Sequence, residues 1–487
     1  MPTDATITAD TPSGPVLGRR DDSLLRDGGV LRFGGVPYAR AERWGAPAPV
    51  TWTEPFDATR PGAAPPQTVG GLDLVPGMIP DAQTEDCLTA EICISAGASK
   101  GLDGARPVLV WIPGGSYRIG GASLPLYDGA HLAAHDIVVV GLNYRLGALG
   151  WLATDGVPSN LPLRDLRAAV DWLRANVGAF GGDPERIVLM GESAGSGCIA
   201  HLLATDPDLP IAGAILQSGA PAGTLDADAA GWVADTFLAA AGAASIDELR
   251  AAPVDALLAA QDQTVGDALA KVGMMPFHPW IDGELLTARA HESTFPAIPL
   301  VVGTTAHEME LFRDQVPALA PDVAVPYLAG KAANLGITDA ARVRAAFTAA
   351  GDDMVEAVAD LEMHVPNELL ARAHACRGNP VYRYRFTWEA PVRRACHALD
   401  LPFTFGTFDV STWREFVGAD GDQAAAAAEA LSARMRAAWA SFAAIGAPTD
   451  PDTGVWPTCG CSPLGADDTD DFDDVVGHRV GIWLGDE

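Results

Sequence analysis

Ser193 sits in Gly191-Glu192-Ser193-Ala194-Gly195, directly after the apolar run Ile187 to Met190 and before an apolar, helix-forming stretch. A serine at a strand-to-helix turn takes strained backbone angles. Small residues two before and two after it relieve the collision with neighbouring backbone. Such a turn lifts the hydroxyl above a sheet and aims a helix N-terminus at a developing oxyanion. The chemistry that suits it is nucleophilic attack on an acyl group.

A serine hydroxyl is a weak nucleophile until a base takes its proton, and ten histidines compete for that role. His131 and His135 are four apart, but no glutamate stands beside the first and both precede the elbow, so they read as surface histidines and not as a metal pair. His201 falls on the helix after the elbow, pointing away from the mouth. His397 follows Ser193 in chain order, in a loop after the run Val381 to Trp388, as a triad on a strand-to-helix elbow requires. The acid that orients the imidazole belongs on a loop between the two. Glu308, Glu310 and Asp282 all qualify by position. Acyl transfer also needs backbone amides aimed at the oxyanion, and Pro113-Gly114-Gly115-Ser116-Tyr117 at the end of the run Val108 to Ile112 can curl to supply them.

The elements that must hold these groups follow from apolar periodicity. Val108 to Ile112, Ile137 to Leu142, Ile187 to Met190 and Ala214 to Gln217 read as strands buried on both faces. Leu163, Leu166, Val170, Leu173 and Val177 recur at helical spacing, and Gly181-Gly182-Asp183-Pro184 ends that helix. Strand, helix, strand in repetition predicts βαβ crossovers and an α/β fold. Ile298 to Gly303 reads as a further strand. Val381 to Trp388 alternates aromatic with basic residues, which predicts a strand with one buried face. Asp226 to Ala290 and Pro321 to Arg377 are Ala-rich, helical segments expected to cap the sheet. Ala424 to Ala444 predicts a long helix with Met435, Trp439 and Phe442 on one stripe. The six aspartates between Asp467 and Asp474 read as a solvated turn, with calcium binding as the sharper alternative. No internal repeat or long linker divides the 487 residues, so a single unit replaces the several domains that length alone suggests.

Composition excludes other classes. With 32 Lys+Arg against 63 Asp+Glu the formal net charge is −31, which repels nucleic acid and anionic membrane. No run of about 18 apolar residues predicts a membrane span. Met1 to Pro15 lacks a basic segment followed by an apolar one, so no signal peptide is expected. Seven scattered cysteines lack zinc-site spacing. The expectation is a cytoplasmic protein with mostly reduced thiols. The acidic balance also suggests a mild preference for neutral or cationic esters.

The ordered motifs resemble the type-B carboxylesterase family of α/β hydrolases, the group of the para-nitrobenzyl esterases and cholinesterases. The resemblance runs from about Phe33 to Pro457. It includes Phe33-Gly34-Gly35-Val36-Pro37-Tyr38-Ala39, Arg43-Trp44, Trp52 and Glu85-Asp86-Cys87-Leu88. It continues through Asn143-Tyr144-Arg145-Leu146-Gly147, Phe180 to Pro184, the elbow, Cys396 to Phe403, Trp439, Phe442-Ala443 and Trp456-Pro457.

This resemblance implies one mostly parallel central sheet wrapped by helices. It also implies Ser193 as nucleophile, Glu308 rather than Glu310 as acid, His397 as base, and the amides of Gly115, Ser116 and Ala194 as the oxyanion hole. The implied reaction is hydrolysis of small carboxylic esters without metal or organic cofactor. Related acyl bonds (carbamates or amides) and a non-catalytic binding role on the same fold are the alternatives.

Four departures stand out. A side chain at Ser116 occupies the place of a common third glycine. Cys87 has no upstream cysteine to pair with. Asp400 and Leu166 replace a glutamate and a glutamine. Tyr117, Met274, Met275, Phe277, Trp280, Phe312 and Phe403 are candidate pocket residues.

Overall fold

The computed structural model describes residues 6–23, 29–68, 75–78, 80–97, 102, 104–219, 223–408, 411–458, 460–465 and 474–486. The sheet is built from β1 (Thr6–Thr11), β2 (Gly14–Asp21), β3 (Val30–Pro37), β4 (Phe56–Asp57), β5 (Thr89–Ser95), β6 (Arg106–Ile112) and β7 (Val138–Leu142). It continues with β8 (Gly182–Glu192), β9 (Gly213–Gln217), β10 (Leu300–Thr305) and β11 (Val381–Phe386). The small hairpin β12 (Thr449–Asp450) and β13 (Gly454–Val455) stands apart, and β14 (Ser462–Leu464) closes the main sheet. Its order is β1-β2-β3-β5-β7-β6-β8-β9-β10-β11-β14, with β4 on β2. Pairing is antiparallel from β1 through β7 and parallel from β7 to β14.

The continuous apolar runs have a direct cause. Successive side chains of a strand point to opposite faces, and here each face meets its own core. Val108, Val110 and Ile112 of β6 join one apolar cluster with Ile187 and Leu189 of β8. Leu109, Trp111, Val188 and Met190 join the cluster on the other face. The helix Leu161–Asn176 covers the first face. The helix Asp422–Ile445 covers the second with Met435, Trp439 and Phe442, all fully buried. A third cluster forms under the helices of 321–375 and Val475–Leu484.

Some expectations are corrected. β8 begins at Gly182, so the segment after Gly181 is already strand, because Gly182 pairs with Arg106 of β6. β11 is not half-exposed: all of its residues but the half-buried Arg383 are buried. Its basic residues are enclosed by partners, Arg383 donating to Glu368 (2.8 Å) and Arg385 to His364 Nδ1 (3.1 Å). Alternation of aromatic and basic residues is therefore a signature of two buried faces when carboxylates and imidazole cover one of them. Within the acidic run only Asp474 is described. Its carboxylate caps the helix Val475–Leu484 by accepting from Gly477 N–H (2.9 Å). Residues 467–473 lie outside the described residues.

Candidate active site

At the end of β8 the chain turns at Ser193 into the helix Ala194–Thr205, and Ser193 takes φ +54° and ψ −122°. A non-glycine residue in this region is strained and persists only when its surroundings hold it. Two backbone bonds do so: Ser193 N–H donates to the Gln217 carbonyl (3.0 Å) and Gly197 N–H donates to the Ser193 carbonyl (2.9 Å). The flanking glycines are steric necessities. A Cβ on Gly191 would lie 2.7 Å from the Gly195 carbonyl carbon, and one on Gly195 would collide with the Ile112 carbonyl.

His397 stands on the loop after β11, 5% exposed. Its Nδ1 lies 2.6 Å from Glu308 Oε2, and its backbone N–H donates to the Glu308 carbonyl (3.2 Å). Glu308 is fully buried at the end of β10, where its other oxygen accepts from Thr305 N–H (2.9 Å). A carboxylate on Nδ1 makes that nitrogen the proton-bearing one and leaves Nε2 as the basic one. The Phe312 ring packs against the imidazole at 5.8 Å.

The other candidates go elsewhere. Glu310 is taken by Arg313 (2.7 Å). Asp282 accepts the amides of Glu284, Leu285 and Leu286 in a turn. His201 is buried with Nδ1 on Gly197 O (2.6 Å) and Nε2 on Thr224 Oγ1 (2.8 Å). His135 is exposed and lies beyond the short helix Ala130–Ala133 that carries His131. Among the described residues no group of three or more His, Cys, Asp or Glu is arranged to hold a metal ion.

The loop after β6 lies against the elbow. A Cβ on Gly114 would be 3.1 Å from Ser193 Cβ and 2.7 Å from the Glu192 carbonyl, so only glycine allows this approach. Gly115, Ser116 and Tyr117 all have positive φ (+120°, +52° and +60°), a run of left-handed backbone. Among the described residues the N–H groups of Gly115, Ser116 and Ala194 donate to no other group. The loop is braced: Tyr144 Oη donates to the Pro113 carbonyl (2.7 Å), and Gln67 bonds both the N–H and the carbonyl of Gly120 (2.8 Å each). Tyr117 is buried, stacked 6.1 Å from His278 and edge-on to Trp151 at 5.4 Å. Phe403 and Phe277 are packed entirely into aromatic core, the first between Phe386, Trp388 and Phe408, and the second on Phe237. Met274 is exposed.

The sequence reading left out Glu192, the variable position of the elbow motif. It is 3% exposed, and its Oε1 lies 3.1 Å from His397 Nε2 without the alignment of a hydrogen bond. Burial pushes its carboxyl up to about 8. Burial pulls His397 down, but Glu192 and then Glu308 outweigh it and hold the imidazole up at about 9. Asp400 joins this cluster, accepting from Gln217 Nε2 (3.0 Å) and Tyr384 Oη (3.3 Å), and burial raises it to about 6. No local signal marks Glu192 or Gln217, since both act by virtue of where β8 and β9 end.

A mostly parallel sheet with this strand-to-helix elbow defines an α/β hydrolase. The carboxylesterase family model matches residues 5–324 and 331–466. A para-nitrobenzyl esterase of Bacillus subtilis (strain 168) is 34% identical, covering 87% of this chain and 88% of its own. A fumonisin B1 esterase of Sphingopyxis macrogoltabida is 32% identical over 93% and 85% of the two chains. The solved structure of a thermophilic PNB esterase superposes with a TM-score of 0.83 at 29% identity, covering 98% of this chain and 99% of that one. The chain belongs to the carboxylesterase family and is a serine carboxylesterase. No helix among the described residues is long and apolar enough to cross a membrane.

Proposed function

We propose that Ser193 is the nucleophile, His397 the general base and acid, and Glu308 the carboxylate that orients and stabilises the imidazole. The observation that carries the reading is the 2.6 Å Glu308–His397 contact at an elbow where only glycines fit around Ser193. Nε2 of His397 takes the hydroxyl proton as Oγ attacks the ester carbonyl. The amides of Gly115, Ser116 and Ala194 stabilise the tetrahedral oxyanion. The imidazolium then protonates the departing alkoxide, the C–O bond breaks, and the acyl group stays on Ser193. A water deprotonated by the same imidazole attacks the acyl-enzyme, and the returning proton regenerates Ser193 with release of the carboxylic acid.

Ser193→Ala should abolish hydrolysis of a chromogenic short-chain ester while the protein stays folded, and a fluorophosphonate should label wild type at Ser193 only. Retained activity in the folded variant would falsify the assignment. Comparing kcat/KM on matched ester and anilide substrates separates ester hydrolysis from amide cleavage. The chain is further inferred to work as one catalytic unit, capped by the segments 226–290 and 321–377. A cytoplasmic location is inferred from the free, buried Cys87, Cys93, Cys198 and Cys396, testable by fractionation.

A further inference from the structure

Six arginines are buried among the described residues: Arg106, Arg118, Arg145, Arg385, Arg436 and Arg479. Five donate side-chain hydrogen bonds, for example Arg106 to Asp136 (2.7 Å) and Arg479 to Asp360 (2.9 Å). Arg118 is the exception. It is 7% exposed, its Nε has no partner, and its nearest carboxylate is Asp262 at 3.9 Å, beyond hydrogen-bond length. Asp262 is itself half-exposed and already accepts from Thr68 Oγ1 (2.6 Å). Burial lowers the Arg118 guanidinium from its ordinary value, with Asp262 compensating only in part. An enclosed guanidinium nitrogen without a hydrogen bond is costly and is uncommon in a folded protein unless something else satisfies it.

Its position says what that is. Arg118 N–H donates to the Gly115 carbonyl (3.0 Å), closing the turn that presents the Gly115 and Ser116 amides. The side chain leaves that turn toward the helix Val254–Val272, which carries Asp262 and lies in the capping segment. The next residue back on that helix, Gln261, accepts from Ala148 N–H (2.9 Å) and ties the helix to the body of the fold. Arg118 is therefore three residues from Gly115, in the same turn as the proposed oxyanion donors.

We propose that Arg118 selects esters that carry a free carboxylate, such as half-esters of dicarboxylic acids, by taking that carboxylate on its unpartnered guanidinium. The planar fork of arginine matches a carboxylate in a way that no ammonium does. The −31 net charge does not oppose this at contact range, because charges further than about 8 Å are largely screened at physiological salt. This selection rests on the reading of Gly115 and Ser116 as oxyanion donors.

The test compares kcat/KM for para-nitrophenyl hemiglutarate with that for the near-isosteric, neutral para-nitrophenyl valerate. Wild type should favour the charged ester, and the preference should shrink at high salt. Arg118→Gln should lower the charged-to-neutral ratio about tenfold or more, with Arg118→Lys between. Asp262→Asn, which removes the competing carboxylate, should raise the ratio. An unchanged ratio in Arg118→Gln, or an equal loss on both esters, overturns the proposal. If Arg118→Gln does not fold, an unchanged ratio in Asp262→Asn overturns it instead. Hydrolysis of the neutral ester with no charge preference defeats the Arg118 selection alone. Failure of wild type to hydrolyse either ester, with no fluorophosphonate adduct on Ser193, defeats the active-site reading as well.

Discussion

Arg145 with Asp165, and His397 with its carboxylates, are both buried ionic groups tied to the central sheet, and they differ in how many of their polar atoms are satisfied. Asp165 is fully buried and receives Arg145 Nε (2.8 Å), Nη2 and the Arg145 backbone N–H (3.3 Å), while Nη1 donates to the Gly45 carbonyl (2.6 Å). One cation meets one anion, bidentately, and the pair pins the loop after β7 to the helix Leu161–Asn176. Around His397 three carboxylates, Glu192, Glu308 and Asp400, surround one imidazole. Glu192 Oε1, Asp400 Oδ1 and Gln217 Oε1 have no hydrogen-bond partner. The first cluster is charge-balanced and saturated, as a structural pair must be if it is not to destabilise the fold. The second gathers carboxylates with unsatisfied oxygens around the imidazole proposed as the base, so its electrostatic balance favours the imidazolium.

If this contrast is right, substitutions should separate into those that stop chemistry and those that unfold the protein. Ser193→Ala has the largest expected effect, a loss of about 10⁶ in kcat, with an unchanged thermal midpoint. Glu308→Gln should lower kcat by about 10³–10⁴, because an amide can present its NH₂ to Nδ1 and stabilise the wrong tautomer. Single-turnover kinetics would show the loss in acylation. Asp165→Ala should act in the other direction, costing about 3–5 kcal/mol of stability by stranding a buried guanidinium. Denaturant melts would show it, with kcat near wild type for the fraction that remains folded. An equal loss of chemistry from Asp165→Ala would break the comparison.

The smallest effect sharpens the comparison most. In the proposed mechanism His397 must be neutral to accept the Ser193 proton, so activity should rise with pH through its titration. Glu192 and Glu308 hold that titration above the ordinary histidine value. Removing the Glu192 charge lowers it, and Glu192→Gln should move the acid limb of kcat/KM down by about one pH unit. An unmoved limb would mean that Glu192 does not act on His397.

Much of this was legible in the chain because it is local. The elbow is a contiguous pattern whose glycines are demanded by collisions with Ile112 and Gly195, and the strands are apolar runs because both sheet faces are covered. The choice among Glu308, Glu310 and Asp282 was not local. It depends on β10 and β11 lying side by side in parallel register, so that loops 89 residues apart meet. β11 misled for the same reason: Glu368 and His364, which enclose its arginines, come from another part of the chain.

The amino-acid sequence by itself determined the elbow that carries the proposed nucleophile, the alternation of strands and helices, and the glycine-rich loop after β6. These follow from sterics and periodicity within a few residues. Only the tertiary structure put Glu308 in contact with His397, set Glu192 against its other nitrogen, and left Arg118 buried without a hydrogen bond from its side chain among the described residues. Those outcomes depend on which distant strand ends and helices share one low-dielectric space, where each unpaired charge is felt by its neighbours.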